Sequence, residues 1–162
     1  HGQTISQPFI VAAMTQLLEL EGDEIALEIG TGSGYQAAIL GVLAGGLVTV
    51  ERIPALAREA ARALARCGMR NVQVVVADGS TGVPMRAIFD RIVVTAAAPA
   101  VPEALLGQLA DPGILVCPVG DRHLQELHVI RREGGRDHRS TTLPCRFVPL
   151  VGDGGWVREE MV

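Results

Sequence analysis

The feature that most narrows the fold is an aliphatic run that stops abruptly at a glycine-rich turn. Glu24 to Ile29 leads into Gly30-Thr31-Gly32-Ser33-Gly34, Tyr35 to Leu43 can form a helix, and Leu47 to Val50 returns as a second aliphatic run. Strand, tight turn, helix and strand make a βαβ unit, and strands joined by such a crossover run parallel. Glycines in that turn let a ligand approach the backbone closely, and the N-terminus of the following helix offers unpaired N–H groups.

The rest of the chain continues the alternation. Before the unit, Ile10, Ala13, Met14, Leu17 and Leu18 recur at helical spacing behind Pro8, which predicts an amphipathic helix over residues 8–20. After it, Pro54 opens and Gly68 closes a helix with the apolar face Leu56, Ala57, Ala60, Ala61 and Leu64, and Val72 to Ala77 is a third strand. Phe89 to Thr95 is a fourth, apolar on both faces at Ile92, Val93 and Val94, as a central parallel strand should be. Pro102 to Leu109 and Ile114 to Val119 repeat helix and strand. Leu124 to Arg132, a turn at Gly134-Gly135 and Ser140 to Leu150 then read as a hairpin. The expected fold is α/β: a Rossmann-like, doubly wound, mostly parallel sheet with an antiparallel C-terminal hairpin at its edge, in a single domain over residues 1–162. The glycine-rich tail after Gly152 has no assignable element.

Composition excludes several classes of function. A net charge of −4 with scattered arginines provides no footprint for nucleic acid. The longest apolar stretch, Ala37 to Val50, is interrupted by three glycines and is too short to span a bilayer, so no membrane partner is expected. Three cysteines, Cys67, Cys117 and Cys145, form no C-x-x-C pair, which suits a reducing cytoplasm. The four histidines show no ligand spacing, and no metal site is expected. All 14 basic residues are arginine, for which we have no physical account.

Which ligand the turn takes follows from its spacing. A dinucleotide fingerprint needs a third glycine where Tyr35 stands, whereas Gly34 comes one residue early and makes G-x-G-x-G. That variant resembles the cofactor loop of S-adenosylmethionine-dependent methyltransferases. Glu51, at the end of the second strand and 23 residues after Glu28, is placed to accept from ribose hydroxyls. Asp78-Gly79, ending the third strand, would share that edge and can accept from an adenine amino group. A solvated surface charge at Glu51 and a turn-former at Asp78 are the plain alternatives. The cofactor-binding candidates are therefore Glu28, Gly30, Thr31, Gly32, Ser33, Gly34, Glu51, Arg52, Asp78 and Gly79.

The fourth strand runs out into Thr95-Ala96-Ala97-Ala98-Pro99, where no side chain can serve as a general base. A carboxylate, already ionised at pH 7, is an acceptor that needs none. With that in place, four segments become diagnostic: His1-Gly2-Gln3-Thr4-Ile5-Ser6-Gln7-Pro8, the glycine turn, Phe89 to Ala97, and Cys145-Arg146-Phe147-Val148-Pro149-Leu150. Together, over residues 1 to about 151, they resemble the protein-L-isoaspartate O-methyltransferases. The resemblance implies a repair enzyme that moves a methyl group from S-adenosylmethionine to the free α-carboxylate of isoaspartyl residues in damaged proteins and peptides. It implies Ser6 as the catalytic residue and Thr4, Ile5, Gln7 and Val148 on the substrate side. An N-cap for the helix at Pro8 is the structural alternative for Ser6.

Family members carry a further, largely helical stretch before the Gly-Gln-Thr motif, so this chain is expected to lack that segment and to turn over poorly. A monomer is expected. Two other functions remain open: a non-catalytic adenosine-ligand-binding fragment, and a methyltransferase acting on a small-molecule carboxylic acid.

Overall fold

The computed structural model describes residues 7–84 and 87–157. It contains a single seven-stranded sheet: β1 (Ile25–Ile29), β2 (Gly46–Glu51), β3 (Val72–Val76), β4 (Phe89–Val94), β5 (Leu109–Gly120), β6 (Gln125–Glu133) and β7 (Arg136–Cys145). The spatial order is β3-β2-β1-β4-β5-β6-β7. The first five strands pair in parallel, and β6 and β7 add antiparallel to the β5 edge. The strand order reverses between β1 and β4, and in open α/β sheets the crevice beyond the carboxyl ends of such strands is where ligands bind.

Among the described residues, four α-helices cover the sheet: α1 (Pro8–Leu17), α2 (Tyr35–Leu43), α3 (Pro54–Arg66) and the single-turn α4 (Glu103–Leu106). Met14 and Leu18 from the α1 end, Ala37 and Leu40 of α2 and Leu64 of α3 pack with Ala26, Leu47 and Val93 on one face of the sheet. Leu27, Ile29, Val50, Phe89, Ile92, Val94, Leu105 and Leu115 form the other core layer. Because side chains alternate along a strand, Glu28 points to the same face as Ala26, toward the helices α1 and α2.

Several elements differ in extent from the expectation, three of them with a visible cause. The first helix stops at Leu17, with Glu19 at a positive φ of 50°. Arg91 supplies a reason, since its guanidinium donates to the Leu18 and Glu19 carbonyls and so satisfies oxygens that a longer helix would have paired internally. The fourth helix is shorter because Leu109 pairs with Phe89, drawing β5 into the sheet before Asp111-Pro112-Gly113. The last strand covers Arg136–Cys145, earlier than residues 140–150, and the chain then leaves the hairpin. It runs instead beside the exit of β4, where Ala97 N–H donates to the Val148 carbonyl at 2.8 Å and Leu150 N–H to the Ala97 carbonyl at 2.7 Å. On α3, Ala57, Ala60 and Leu64 are buried as the periodicity requires, but Ala61 is exposed.

Candidate active site

A cleft of about 920 Å³, its open mouth included, lies beyond the carboxyl ends of β1, β2 and β4. The glycine turn forms its floor. Gly30 N–H and Thr31 N–H both donate to the Val50 carbonyl, which locks the turn to the end of β2. Gly32 has a φ of 53°, and a Cβ built there meets nothing nearer than the Gly30 carbonyl at 3.9 Å, so the space above the turn is open.

Glu51 braces this arrangement from β2. One carboxylate oxygen accepts from Gly32 N–H and the other from Ile53 N–H, each at 2.9 Å. Thr95, at the exit of β4, donates its hydroxyl to the Ile29 and Gly30 carbonyls and fixes the opposite side of the turn. Its proton is thereby committed to backbone acceptors.

Below the turn is a buried polar relay. Thr49 Oγ1 lies 2.5 Å from Glu28 Oε2 and 2.6 Å from Thr31 Oγ1, so the three groups form one hydrogen-bonded chain. Glu28 has no exposed surface. Burial pushes its carboxyl up to about 8, with the charge of Glu51 adding to the effect and the Thr49 hydrogen bond opposing it. The second oxygen, Glu28 Oε1, is buried without a hydrogen-bond partner, and so is Gln36 Oε1 from the second residue of α2. Gln36 is held by its other end, where Nε2 donates to Thr15 Oγ1 of α1 at 2.9 Å. Glu28 and Gln36 both belong to the wall of the cleft.

Of the candidate residues, Glu28, Gly30, Thr31, Gly32, Ser33, Glu51, Arg52, Gly79 and Val148 all lie on this cleft. Gly34 and Asp78 do not line it. Gly34 is the N-cap of α2 at a φ of 83°, where glycine is favoured, and it faces Ala60 and Leu64 of α3. Asp78 is turned inward: Oδ1 accepts from the Ser80 N–H and hydroxyl, and Oδ2 from Asp153 N–H. Against the cost of burial, these hydrogen bonds hold its carboxyl below the usual aspartate range. Gln7 is exposed and is the N-cap of α1, without a side-chain capping bond. Thr4, Ile5 and Ser6 lie outside the described residues. Gln36, Thr95 and Val151 line the cleft as well, without having been singled out in the sequence, and Pro149 and Leu150 extend the wall from Val148. A lone glutamine early in a helix carries no pattern, whereas Thr95 was visible as the residue ending a strand.

Comparison with known proteins settles the relationship. The profile of the protein-L-isoaspartate(D-aspartate) O-methyltransferase family matches residues 1–155. The chain belongs to that family. A protein-L-isoaspartate O-methyltransferase of Methanospirillum hungatei is 52% identical over 157 residues, which are 97% of this chain and 73% of the relative. One from Geobacter metallireducens is 55% identical over 159 residues, covering 98% and 74%. Among solved structures, a protein-L-isoaspartate O-methyltransferase superposes with a TM-score of 0.85 at 29% identity over 96% of this chain, which spans 51% of that protein. A Plasmodium falciparum homologue, solved with S-adenosyl-L-homocysteine, gives 0.77 at 25% identity, covering 91% of this chain and 76% of that one. Enzymes of this family are S-adenosylmethionine-dependent and act on isoaspartyl-containing proteins. The cleft fits such a cofactor: it offers an open approach over Gly32, the Glu51 carboxylate as an acceptor, and in its wall the unpartnered oxygens of Glu28 and Gln36.

Proposed function

We infer that this chain transfers a methyl group from S-adenosylmethionine to the α-carboxylate of isoaspartyl residues, using the cleft between the glycine turn and the Val148–Val151 wall. The observation that supports this reading most is the division of that cleft. Its carboxyl groups, Glu28 and Glu51, stand on the glycine-turn side, and the Thr95 to Pro99 exit opposite carries no side chain able to take a proton.

When bound, the cofactor supplies an electrophilic methyl carbon on a positively charged sulfur. The chain's own residues bind and orient. The Gly30–Gly34 turn admits the ligand, with Thr31, Ser33, Arg52 and Gly79 beside it, and Glu51 accepts from ribose hydroxyls through lone pairs left over by its two backbone bonds. Asp78 is a less direct cofactor contact than its position in the sequence implies, because a ligand would have to share oxygens that already accept from Ser80 and Asp153. Ser6 holds the acceptor carboxylate by hydrogen bonding, Thr4, Ile5 and Gln7 serve on the substrate side, and Val148 contacts the peptide. A carboxylate ionised at neutral pH attacks without prior deprotonation. Positioning is then the main contribution left to the protein, and such alignment is worth up to several kcal/mol of barrier.

A monomer working in the cytoplasm without a nucleic-acid or membrane partner is part of this proposal. None of the helices among the described residues is long and apolar enough to cross a membrane. The test is methyl transfer from labelled S-adenosylmethionine to an isoaspartyl peptide beside the matching aspartyl peptide. Incorporation into the isoaspartyl peptide alone is expected, and equal labelling of both would overturn the substrate assignment.

A further inference from the structure

The tail that follows the cleft wall is bound into the fold by contacts the known reaction does not require. Gly152 to Trp156 closes on itself, with Trp156 N–H donating to the Leu150 carbonyl at 2.7 Å and Gly152 N–H to the Trp156 carbonyl at 3.2 Å. The loop is then anchored at two places. Asp153 N–H donates to Asp78 Oδ2 and Gly154 N–H to Ser80 Oγ, both at 2.9 Å, tying it to the turn after β3. Trp156 Nε1 donates to the Ala97 carbonyl at 3.1 Å, tying it to the exit of β4. Arg122 lies over the indole, 5.3 Å from the ring centroid to the guanidinium carbon. Fit is tight, since a Cβ on Gly152 would collide with the Asp78 carboxylate.

Both anchors bear on the cleft without lining it. The Ala97 carbonyl that receives the indole N–H also receives Leu150 N–H, while Ala97 N–H holds the Val148 carbonyl. Val148, Pro149, Leu150 and Val151 are the cleft wall opposite the glycine turn. Ser80 is fully buried and follows Gly79, which lines the cleft on the other side. The loop therefore spans from one side of the cleft to the other, behind the wall.

We propose that the Gly152–Trp156 loop is a clamp that sets the position of the Val148–Val151 wall, and that Trp156 and Ser80 are positioning residues for the acceptor peptide. This rests on the function proposed above, in which Val148 contacts the peptide. Trp156 acts through the Ala97 carbonyl and Ser80 through Gly154, and neither touches the reacting atoms. Loosening either anchor should leave the glycine turn intact, because that turn is held by Val50, Glu51 and Thr95.

The experiment uses the chain of 162 residues with Trp156→Phe, which keeps an aromatic ring but deletes the indole N–H, and Ser80→Ala, which deletes the Gly154 anchor. Two dissociation constants are measured for each: S-adenosylhomocysteine alone by calorimetry, and a labelled isoaspartyl peptide at saturating S-adenosylhomocysteine by equilibrium dialysis. Loss of one hydrogen bond corresponds to roughly fivefold. Both variants are expected to bind peptide about fivefold more weakly, and the double variant more weakly still, with S-adenosylhomocysteine affinity unchanged within about twofold in Trp156→Phe, whose anchor does not touch Asp78. A general packing role would weaken both ligands in parallel, and that result overturns the proposal. So does unchanged peptide affinity in Trp156→Phe, a half-buried substitution made with little disturbance of the core. A parent chain that binds no S-adenosylhomocysteine instead overturns the function itself.

Discussion

Replacing Glu28 with glutamine removes one titrating proton and little else, so its effect on stability against pH can be worked out from the structure. Glutamine is nearly isosteric, and its carbonyl oxygen still accepts from Thr49. Glu28 is wholly buried and its carboxyl titrates at about 8 in the fold against 4.5 in the unfolded chain. The folded state thus holds a proton that the unfolded state releases between those values. The stability associated with that proton is fully present below pH 4.5, falls as pH rises, and is gone above about 8. Within the window the slope approaches about 1.4 kcal/mol per pH unit, amounting to something on the order of 3 kcal/mol by pH 7. Other groups titrate equally in both proteins, so the difference between them isolates Glu28. Urea unfolding followed by the emission of Trp156, the single tryptophan, at pH 5, 6, 7 and 8 provides the measurement. Glu28→Gln should gain steadily on the parent as pH rises. A constant difference across the range would show that Glu28 is not protonated in the fold and would refute this account of the relay.

Other substitutions test the rest of the site. Gly32→Val places a branched side chain over the open floor of the cleft, and Glu51→Ala removes both the brace and the acceptor for ribose hydroxyls; each should weaken S-adenosylhomocysteine binding by about 1 to 3 kcal/mol in calorimetry, and parent-like affinity in a folded variant would misplace the ligand. Ser6→Ala should lower methyl transfer much more than cofactor affinity, and because Gln7 holds the N-cap position, its melting temperature should stay near that of the parent. Ser6→Asp sets a negative charge against the acceptor carboxylate and should be less active still; parent-like methylation by it would remove Ser6 from the mechanism.

How much of this was legible in the sequence depends on how local the cause is. The βαβ unit could be read because strand, turn and helix are each written in consecutive residues: the aliphatic run of β1, three glycines at alternate positions, and the Tyr35–Leu43 segment. Glu51 was legible as well, since a strand end is a fixed place in this architecture. The fate of Asp78 was not. Its partner Asp153 lies 75 residues away, and the stretch around that partner is a glycine-rich tail with no periodicity. The early end of α1 was hidden for the same reason, because it depends on Arg91, more than 70 residues distant. Gln36 carries no signal until Thr15 and the cleft are placed beside it.

Whether the acceptor is a carboxylate on an isoaspartyl residue is decided by locating the transferred methyl group. The chain is incubated with isotopically labelled S-adenosylmethionine and an isoaspartyl peptide, and the product is fragmented in a mass spectrometer before and after mild alkali. One label is expected on the isoaspartyl α-carboxylate, lost as methanol in alkali as an ester must be. A label that survives alkali, or that maps to an amine or hydroxyl elsewhere in the peptide, would contradict it.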